Sequence, residues 1–204
     1  MITTHIKDWT GNSNSIYKAL GASNHTDKER ETDDFYATEP KAIDILCSVE
    51  SFDGEIWECA CGQGHMSERL MQHGHKVRSS DLIDRGYGEG GIDFLKQSDT
   101  YDFNIVTNPP YKYAQAFIEK AIELVPDGKK VCMFLKIQFL EGKKRKALFK
   151  KYPPKTIYVS SSRLLCAKNA EFEKMVEGGG SAVCYAWYCW VKGNYSDTKI
   201  VWVN

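Results

Sequence analysis

The sequence predicts an α/β fold built on a doubly wound, mostly parallel sheet, and two observations carry that prediction. Short apolar runs of strand length alternate with stretches of helix length from residue 40 onward, which is the pattern of strands joined by helices in a parallel sheet. A chain of 204 residues also has the size of one domain with a substantial core. The last two apolar runs are expected to close the fold as a terminal antiparallel strand pair.

The first 34 residues differ in composition from the rest of the chain. They are rich in Asn, Ser, Thr and charged side chains, and only residues 16–20 form an apolar patch. A segment with so little to bury does not form a packed core. We therefore expect a flexible or lid-like arm over 1–34 and a single domain over 35–204.

From Pro40 onward, helices and strands are predicted in turn. The first helix covers 40–49, because Pro40 suits a first helical turn and Thr38 stands where a capping residue could lie. The other predicted helices are 66–73, 114–125 and 143–151. The predicted strands are 55–60, 76–80, 101–107, 129–137, 155–160, 182–192 and 199–203, with a strand or loop at 92–95.

Composition and charge narrow the classes of function. Basic and acidic residues balance, so no overall field marks a nucleic-acid binder and any such contact would need a local patch. Seven scattered cysteines without a signal peptide indicate reduced thiols in a cytoplasmic compartment. Their spacing does not fit a zinc site, and no apolar run is long enough to cross a membrane. We therefore expect no metal and no membrane partner.

The tetrapeptide from Asn108 to Tyr111 follows the apolar run 101–107 and suggests a reaction. An exocyclic amine or carboxamide nitrogen is a weak nucleophile, because its lone pair is delocalised into the neighbouring π-system. The Asn108 side-chain oxygen and the Pro109 carbonyl could accept both amine hydrogens and so favour methylation of that nitrogen. Pro110 would help to stiffen the loop, and Tyr111 could stack on a flat base extruded from a duplex. The alternative is an ordinary turn at a strand end.

A glycine-containing turn follows the predicted strand 55–60. Gly62 and Gly64 permit a tight turn and a close approach of the backbone to a ligand. The third glycine of a dinucleotide fingerprint is missing, because Ser67 occupies its place. Together with the acidic Glu58, this turn fits a zwitterionic, phosphate-free nucleoside better than a dinucleotide.

Acidic residues end the next two segments. Asp81 could accept both hydroxyls of a ribose through its two oxygens, or could simply form a turn. Asp93 could accept from an adenine amine while Phe94 packs on the ring, although Phe94 alone is also a plausible core residue. Ligands collect at the carboxyl ends of strands in such a sheet. The order of these motifs, ending at Asn108, therefore favours one common site.

In this order the motifs resemble those of class I S-adenosylmethionine-dependent methyltransferases, and more specifically the amino-methyltransferases that act on adenine in DNA. The resemblance in motifs covers about residues 34–139, and the chain as a whole resembles small phage- and prophage-encoded methyltransferases. This closer likeness is carried by 35–40, 57–62, 80–88, 93–95, 139–142 with Arg145, and 185–187. Two residues depart from the broader pattern. Cys59 stands where that pattern has proline, and Glu39 separates Thr38 from Pro40.

The resemblance implies S-adenosyl-L-methionine as the methyl donor, DNA as the acceptor, and a bacterial or phage-infected cell as the setting. It places residues 36–40 near the methionine end of the donor. The cofactor-binding residues implied are Tyr36, Thr38, Glu58, Ala60, Gly62, Gly64, Asp81, Leu82, Asp93, Phe94 and Asn108. The catalytic residues implied are Asn108, Pro109, Pro110 and Tyr111.

Basic residues cluster after the predicted strand 129–137. The candidates for binding the substrate, through its phosphates, are Lys136, Lys143, Lys144, Arg145 and Arg163. The alternative is a solvated helix face with Leu148 and Phe149 buried. Since the chain leaves no room for a large recognition domain, sequence-specific reading would come from residues 162–180, from the amino-terminal arm or from a partner.

Three functions remain open at this point. The favoured one is methylation of the 6-amino group of adenine in DNA. The second keeps the donor but takes RNA adenine or a protein glutamine amide as acceptor. The third is a non-catalytic phage accessory module that binds S-adenosylmethionine or nucleic acid, against which the intact tetrapeptide argues.

Overall fold

The structure, a computed structural model, describes residues 36–168, 172–173 and 183–204. The strands are β1 (Tyr36–Thr38), β2 (Glu55–Glu58), β3 (Val77–Ser79), β4 (Phe103–Thr107), β5 (Lys130–Lys136), β6 (Thr156–Ser160), β7 (Cys166–Lys168), β8 (Tyr185–Val191) and β9 (Lys199–Val203). The helices are α1 (Pro40–Val49), α2 (His65–Gln72), α3 (Ala114–Leu124) and α4 (Lys143–Lys151), with 3₁₀ turns at Phe94–Lys96 and Ile137–Leu140. The arm expected over 1–34 lies outside the described residues, as do parts of the segment 162–180.

Seven strands form one sheet in the order β3-β2-β4-β5-β8-β6-β9. β2 pairs in parallel with β3 and β4, β4 with β5, and β6 with β9. β8 is antiparallel to both of its neighbours. The predicted α/β fold with a mostly parallel sheet is therefore confirmed.

The interior strand β4 shows how the sheet is covered on both faces. Ile105 packs into a cluster with Ile118 of α3, whereas Val106 packs into another with Leu46 of α1 and Leu70 of α2. Successive side chains of a strand point to opposite faces, so the adjacent residues Ile105 and Val106 enter different apolar clusters. Each of these side chains contributes about 1.5–3 kcal/mol on burial, and the helices are thereby fixed on the two faces.

The last two strands do not pair as predicted. The segments 182–192 and 199–203 were expected to pair with each other, but β8 and β9 both pair with β6, which lies between them. β8 is buried over all but its last residue and therefore needs a neighbour on each edge, whereas β9 is mostly exposed. The short connection between them favours a hairpin from the sequence alone, but burial of β8 on both faces decides the pairing.

A second, two-stranded sheet was not predicted. β1 and β7 pair antiparallel, with Thr38 opposite Cys166, and we call this pair the ribbon. Residues 92–95 form a loop that enters the 3₁₀ turn at Phe94–Lys96 rather than a strand. The other predicted elements are present, with bounds that differ by at most a few residues.

Candidate active site

The predicted site residues follow strands that are neighbours in the sheet. β2, β3, β4 and β5 are parallel, so their carboxyl ends lie at one edge, which we call the active edge. The glycine turn follows β2, Asp81 follows β3 and Asn108 follows β4 directly. The topology therefore brings the motifs from distant parts of the chain to the same edge.

The turn after β2 depends on its two glycines. Gly62 and Gly64 have φ of +55° and +87°, a region that residues with a side chain rarely adopt. A Cβ added to Gly64 would lie 2.4 Å from the ring of Tyr87. Gly64 also begins α2 as its N-cap. The glycine is therefore needed for both its backbone conformation and the close packing of Tyr87.

Glu58 lies beneath this turn. It is only 3% exposed, and its carboxyl Oε2 accepts a hydrogen bond from the Ser67 hydroxyl in the first turn of α2. Burial raises the pKa of Glu58 to about 8. Ser67, which replaces the third fingerprint glycine, thus provides the partner that a buried carboxyl group requires. Glu58 accordingly connects the glycine turn to α2.

Asp81 connects the glycine turn to the loop after β3. Its Oδ2 accepts from the Gly62 N–H at 2.8 Å, and its Oδ1 accepts from the Ile83 N–H at 2.9 Å. Each carboxylate oxygen has a second lone pair that a ligand hydroxyl could use. The neighbouring Leu82 is 58% exposed. An acidic group and an apolar surface therefore lie side by side at this edge.

Asp93 and Phe94 have separate roles. The Asp93 carboxylate accepts from the Leu95 N–H at 3.1 Å and pairs with Lys96 at 3.1 Å, so it caps the short turn. Phe94 is 2% exposed and contacts Trp57 and Phe117, with ring centroids 5.3 and 4.9 Å away. The structure thus gives Phe94 the place of a core residue, which was the alternative interpretation of its sequence position.

The side-chain amide of Asn108 has hydrogen-bond partners for its nitrogen but, among the described residues, none for its oxygen. Its Nδ2 donates to the Tyr36 carbonyl at 3.3 Å and to the Thr38 hydroxyl at 3.0 Å. Its Oδ1 is buried and has no hydrogen-bond partner among the described residues. Buried polar atoms are nearly always paired, so an unpaired one needs an explanation.

In the rest of the tetrapeptide, Pro110 and Tyr111 are held by hydrogen bonds and packing, whereas Pro109 differs from them. Pro110 and Tyr111 accept backbone hydrogen bonds from Tyr113 and Ala114, but no backbone N–H within 36–168, 172–173 or 183–204 donates to the Pro109 carbonyl. The Tyr111 hydroxyl donates to the Cys166 sulfur at 3.6 Å, and its ring stacks on Tyr185 with centroids 6.2 Å apart. Burial raises the pKa of Tyr111, so the phenol remains neutral.

The candidate substrate-binding residues fall into three groups. Arg145 is committed to the protein, because it donates to the carbonyls of Gln138 and Glu141 at 3.0 Å each and lies over the Phe139 ring. The ammonium group of Lys136 lies 4.5 Å from the centroid of the Tyr111 ring. The others, Lys143, Lys144 and Arg163, are exposed.

Two of the implied cofactor residues contribute in other ways. Tyr36 contributes its backbone carbonyl to Asn108, and Ala60 is partly buried against the core.

Over the described ranges no three His, Cys, Asp or Glu side chains are placed to hold a metal ion. No helix in that part of the chain is long and apolar enough to span a membrane.

Two residues at the site were missed by the sequence analysis. Cys166, in the ribbon, contacts Asn108 and Tyr111, and Tyr87 covers Gly64. Tyr87 stands between two glycines in a segment that carries the family resemblance, so a signal for it existed. Cys166 lies in a short apolar run, and only its pairing with β1 reveals its role.

The sequence matches no protein-family profile and no curated protein. Solved structures with the same fold include a Listeria monocytogenes protein assigned to the class I S-adenosylmethionine-dependent methyltransferases (TM-score 0.56, 11% identity, 92% of this chain and 71% of that one). The type IIG restriction endonuclease BpuSI is also similar (TM-score 0.59, 14% identity, 82% of this chain). A third is an Agrobacterium tumefaciens protein assigned as an O-methyltransferase (TM-score 0.52, 13% identity, 79% and 84%).

These likenesses define the fold as that of the class I methyltransferases. The chain spans only 26% of the length of BpuSI, and thus corresponds to one part of that enzyme. At such low identity the likeness concerns the arrangement of strands and helices. The chemistry has to be argued from the residues at the active edge.

Proposed function

We propose that this protein transfers a methyl group from S-adenosylmethionine to the exocyclic 6-amino group of adenine in DNA. The observation that carries the proposal is the Oδ1 of Asn108 at the end of β4, which is buried and has no hydrogen-bond partner in the part of the chain that the structure describes. A hydrogen-bond acceptor that the described residues leave unpaired, at the ligand-binding edge of the sheet, is what an incoming N–H group would require.

The residues of the tetrapeptide account for the chemistry. Asn108 Oδ1 and the Pro109 carbonyl would each accept one hydrogen of the amine, so that its lone pair is no longer held in conjugation with the ring. Both groups are dipoles with their negative ends toward the nitrogen, and they would stabilise the positive charge that develops there as the N–C bond forms and the S–C bond breaks. The methylated amine would then lose one proton to water. Because Asn108 is held by Tyr36 and Thr38, little reorganisation is needed when the amine arrives.

The residues of the glycine turn and its surroundings fit the methyl donor. When bound, the donor supplies an electrophilic methyl group. Asp81 would accept the ribose hydroxyls through its remaining lone pairs, and the exposed Leu82 would lie against the adenine ring. Asp93 would accept from the adenine amine, since among the described residues its Oδ2 has only the exposed Lys96 as an ion-pair partner. Glu58 and Phe94 would support this pocket from beneath.

A basic groove beside the active edge supports a nucleic-acid acceptor. It has a volume of about 770 Å³ and is lined by Leu140, Glu141, Gly142, Lys143, Lys146, Phe149 and Lys150. Its three lysines form no ion pair within the described part of the chain. The groove follows the 3₁₀ turn after β5, whose last residue, Lys136, contacts Tyr111. Phosphates bound there would bring a base toward the tetrapeptide.

The test begins with calorimetric titration of the purified protein with S-adenosylmethionine. Methyl-labelled donor is then incubated with separate preparations of duplex DNA, RNA and protein extract, with DNA first because one structural neighbour is a restriction endonuclease. Label in 6-methyladenine of DNA is the expected result. Label in RNA adenine or in glutamine would reassign the acceptor, and binding without transfer would favour the non-catalytic module. Absence of donor binding would overturn the proposal.

A further inference from the structure

We infer that Thr38 and Cys166, which lie opposite each other in the ribbon, are positioning residues. They fix which side of the Asn108 amide faces the amine that is to be methylated. The inference rests on the proposed function for its catalytic consequence. It reassigns Thr38, which the family resemblance places near the methionine end of the donor.

The first step concerns the orientation of the amide. The Nδ2 of Asn108 has three acceptors within reach: the Tyr36 carbonyl at 3.3 Å, the Thr38 hydroxyl at 3.0 Å and the Cys166 sulfur at 3.6 Å. A carbonyl oxygen can only accept, so a flipped amide would set Oδ1 against the Tyr36 oxygen without a hydrogen between them. The ribbon therefore keeps the NH₂ group on its own side and Oδ1 on the other.

The second step concerns Thr38. Its side chain is buried, and its hydroxyl contacts both Asn108 and the sulfur of Cys166. The hydroxyl can accept from Asn108 and donate to Cys166 at the same time, which uses its hydrogen within the protein. A hydroxyl engaged in this way is better explained as a support for Asn108 than as a contact to the donor.

The third step concerns Cys166, which joins the two ends of the tetrapeptide. Its sulfur accepts from Asn108 Nδ2 and from the Tyr111 hydroxyl, each at 3.6 Å. Burial raises the pKa of Cys166 to about 11, so the group is a neutral thiol at pH 7. The thiol is a weak partner for each of these donors, as it is for Thr38, but its contacts with both Asn108 and Tyr111 couple the position of Tyr111 to that of Asn108.

Nuclear magnetic resonance provides a test that does not depend on catalysis. The side-chain amide hydrogens of Asn108 are assigned from their absence in Asn108→Asp, and their exchange with solvent is measured in Thr38→Val and Cys166→Ala. We expect exchange to accelerate about tenfold or more in Thr38→Val, because a buried hydrogen bond is lost. Thr38→Ser and Cys166→Ser, which retain an acceptor, should stay near the wild-type rate.

Asn104 provides the control in the same spectra. Its Nδ2 donates to the Asp53 carbonyl at 2.8 Å, away from the ribbon, so its exchange should be unchanged in every folded variant. If Thr38→Val lost protection at both asparagines, that variant would be generally unfolded. The exchange rates of Asn108 and Asn104 would then be compared in Cys166→Ala instead. Unchanged Asn108 exchange in both Thr38→Val and Cys166→Ala would overturn the inference.

The kinetic readout separates positioning from donor binding. In Thr38→Val we expect kcat to fall about tenfold or more while the Kd for S-adenosylmethionine stays within about twofold, since misplacing a catalytic group lowers turnover. A raised Kd with unchanged kcat would show that Thr38 contacts the donor and would overturn the inference. If the wild type methylates no acceptor, the proposed function fails, and amide exchange still decides whether the ribbon orients Asn108.

Discussion

Two asparagines, one near the start of β4 and one directly after its end, show how the amino and carboxyl ends of the strands differ. Asn104, near the start of the strand, is satisfied on both sides of its amide: Nδ2 donates to Asp53, and Oδ1 accepts from the Lys130 N–H at 2.9 Å. Asn108, after the end of the strand, has partners among the described residues only through Nδ2. The same residue type therefore holds two strands together at one end of the strands, and at the other end it has a buried oxygen that the described residues leave unpaired.

Substitution of Asn108 should give the largest effect and would test this contrast directly. In Asn108→Ala we expect kcat to fall about 100- to 1000-fold, as when one polar group of a preorganised site is removed, while donor affinity changes little. The measurement is single-turnover methyl transfer beside calorimetric titration of the donor. Equal turnover in the variant would contradict the role given to Oδ1.

Glu58 should make the stability of the active edge depend on pH. Its pKa is raised from 4.5 to about 8 in the folded protein, so folding favours the protonated carboxyl. That stabilisation is complete below about pH 4.5 and is lost as pH rises toward 8, by an amount on the order of a few kcal/mol.

Chemical denaturation of the wild type and Glu58→Gln at several pH values measures this dependence. The difference between the free energies of unfolding of the two proteins should drift across that range in favour of the variant. Parallel curves would show that Glu58 does not titrate as the buried group described here.

Two glycines at opposite ends of α2 offer a matched comparison of the two edges. Gly64 and Gly74 have nearly equal φ, +87° and +86°, but among the described residues a Cβ would meet another group only at Gly64, where it would meet the Tyr87 ring. Both substitutions place a side chain at a positive φ, so the cost to the backbone is about the same. The free energy of unfolding should therefore fall about 1–3 kcal/mol further in Gly64→Ala than in Gly74→Ala, because of overpacking. Thermal or denaturant unfolding measures the difference. Titration with S-adenosylmethionine should show a weaker affinity for the donor in Gly64→Ala alone. Equal losses in the two variants would remove Tyr87 from the explanation.

Asn104→Ala should give the smallest effect and one confined to stability. It leaves the Lys130 N–H and the Asp53 carbonyl without this partner, which should cost about 1–2 kcal/mol in denaturant unfolding. Turnover per folded molecule should match that of the wild type. A large fall in turnover would mean that the two edges are coupled more tightly than their contacts indicate.

Local patterns predicted the parts of the molecule that depend on neighbouring residues. The alternation of strands and helices, the glycine turn and the position of Asn108 at the end of β4 each depend on a few consecutive residues, and sheet topology then brings them to one edge. The fold class followed from these patterns.

Features that depend on contacts between distant residues could not be predicted in this way. The pairing of Thr38 with Cys166 joins segments far apart in sequence, and the placement of β8 depends on burial on both faces. Phe94 and Arg145 were candidates for ligand contact by residue type, but their neighbours Trp57, Phe117, Gln138 and Glu141 bind them into the protein. Propensity and spacing carry no information about such partners.

The position of β8 has a consequence for how the protein is made. β5 and β6 have no common neighbour until residues 185–191 are present, because β8 alone separates them in the sheet. Pairing between such distant segments closes long loops and is slow to form. During synthesis the strands from β2 to β5 can assemble first, and the edges of β5 and β6 stay exposed to other chains until β8 emerges. A nascent chain stopped before residue 185 should therefore be prone to aggregation.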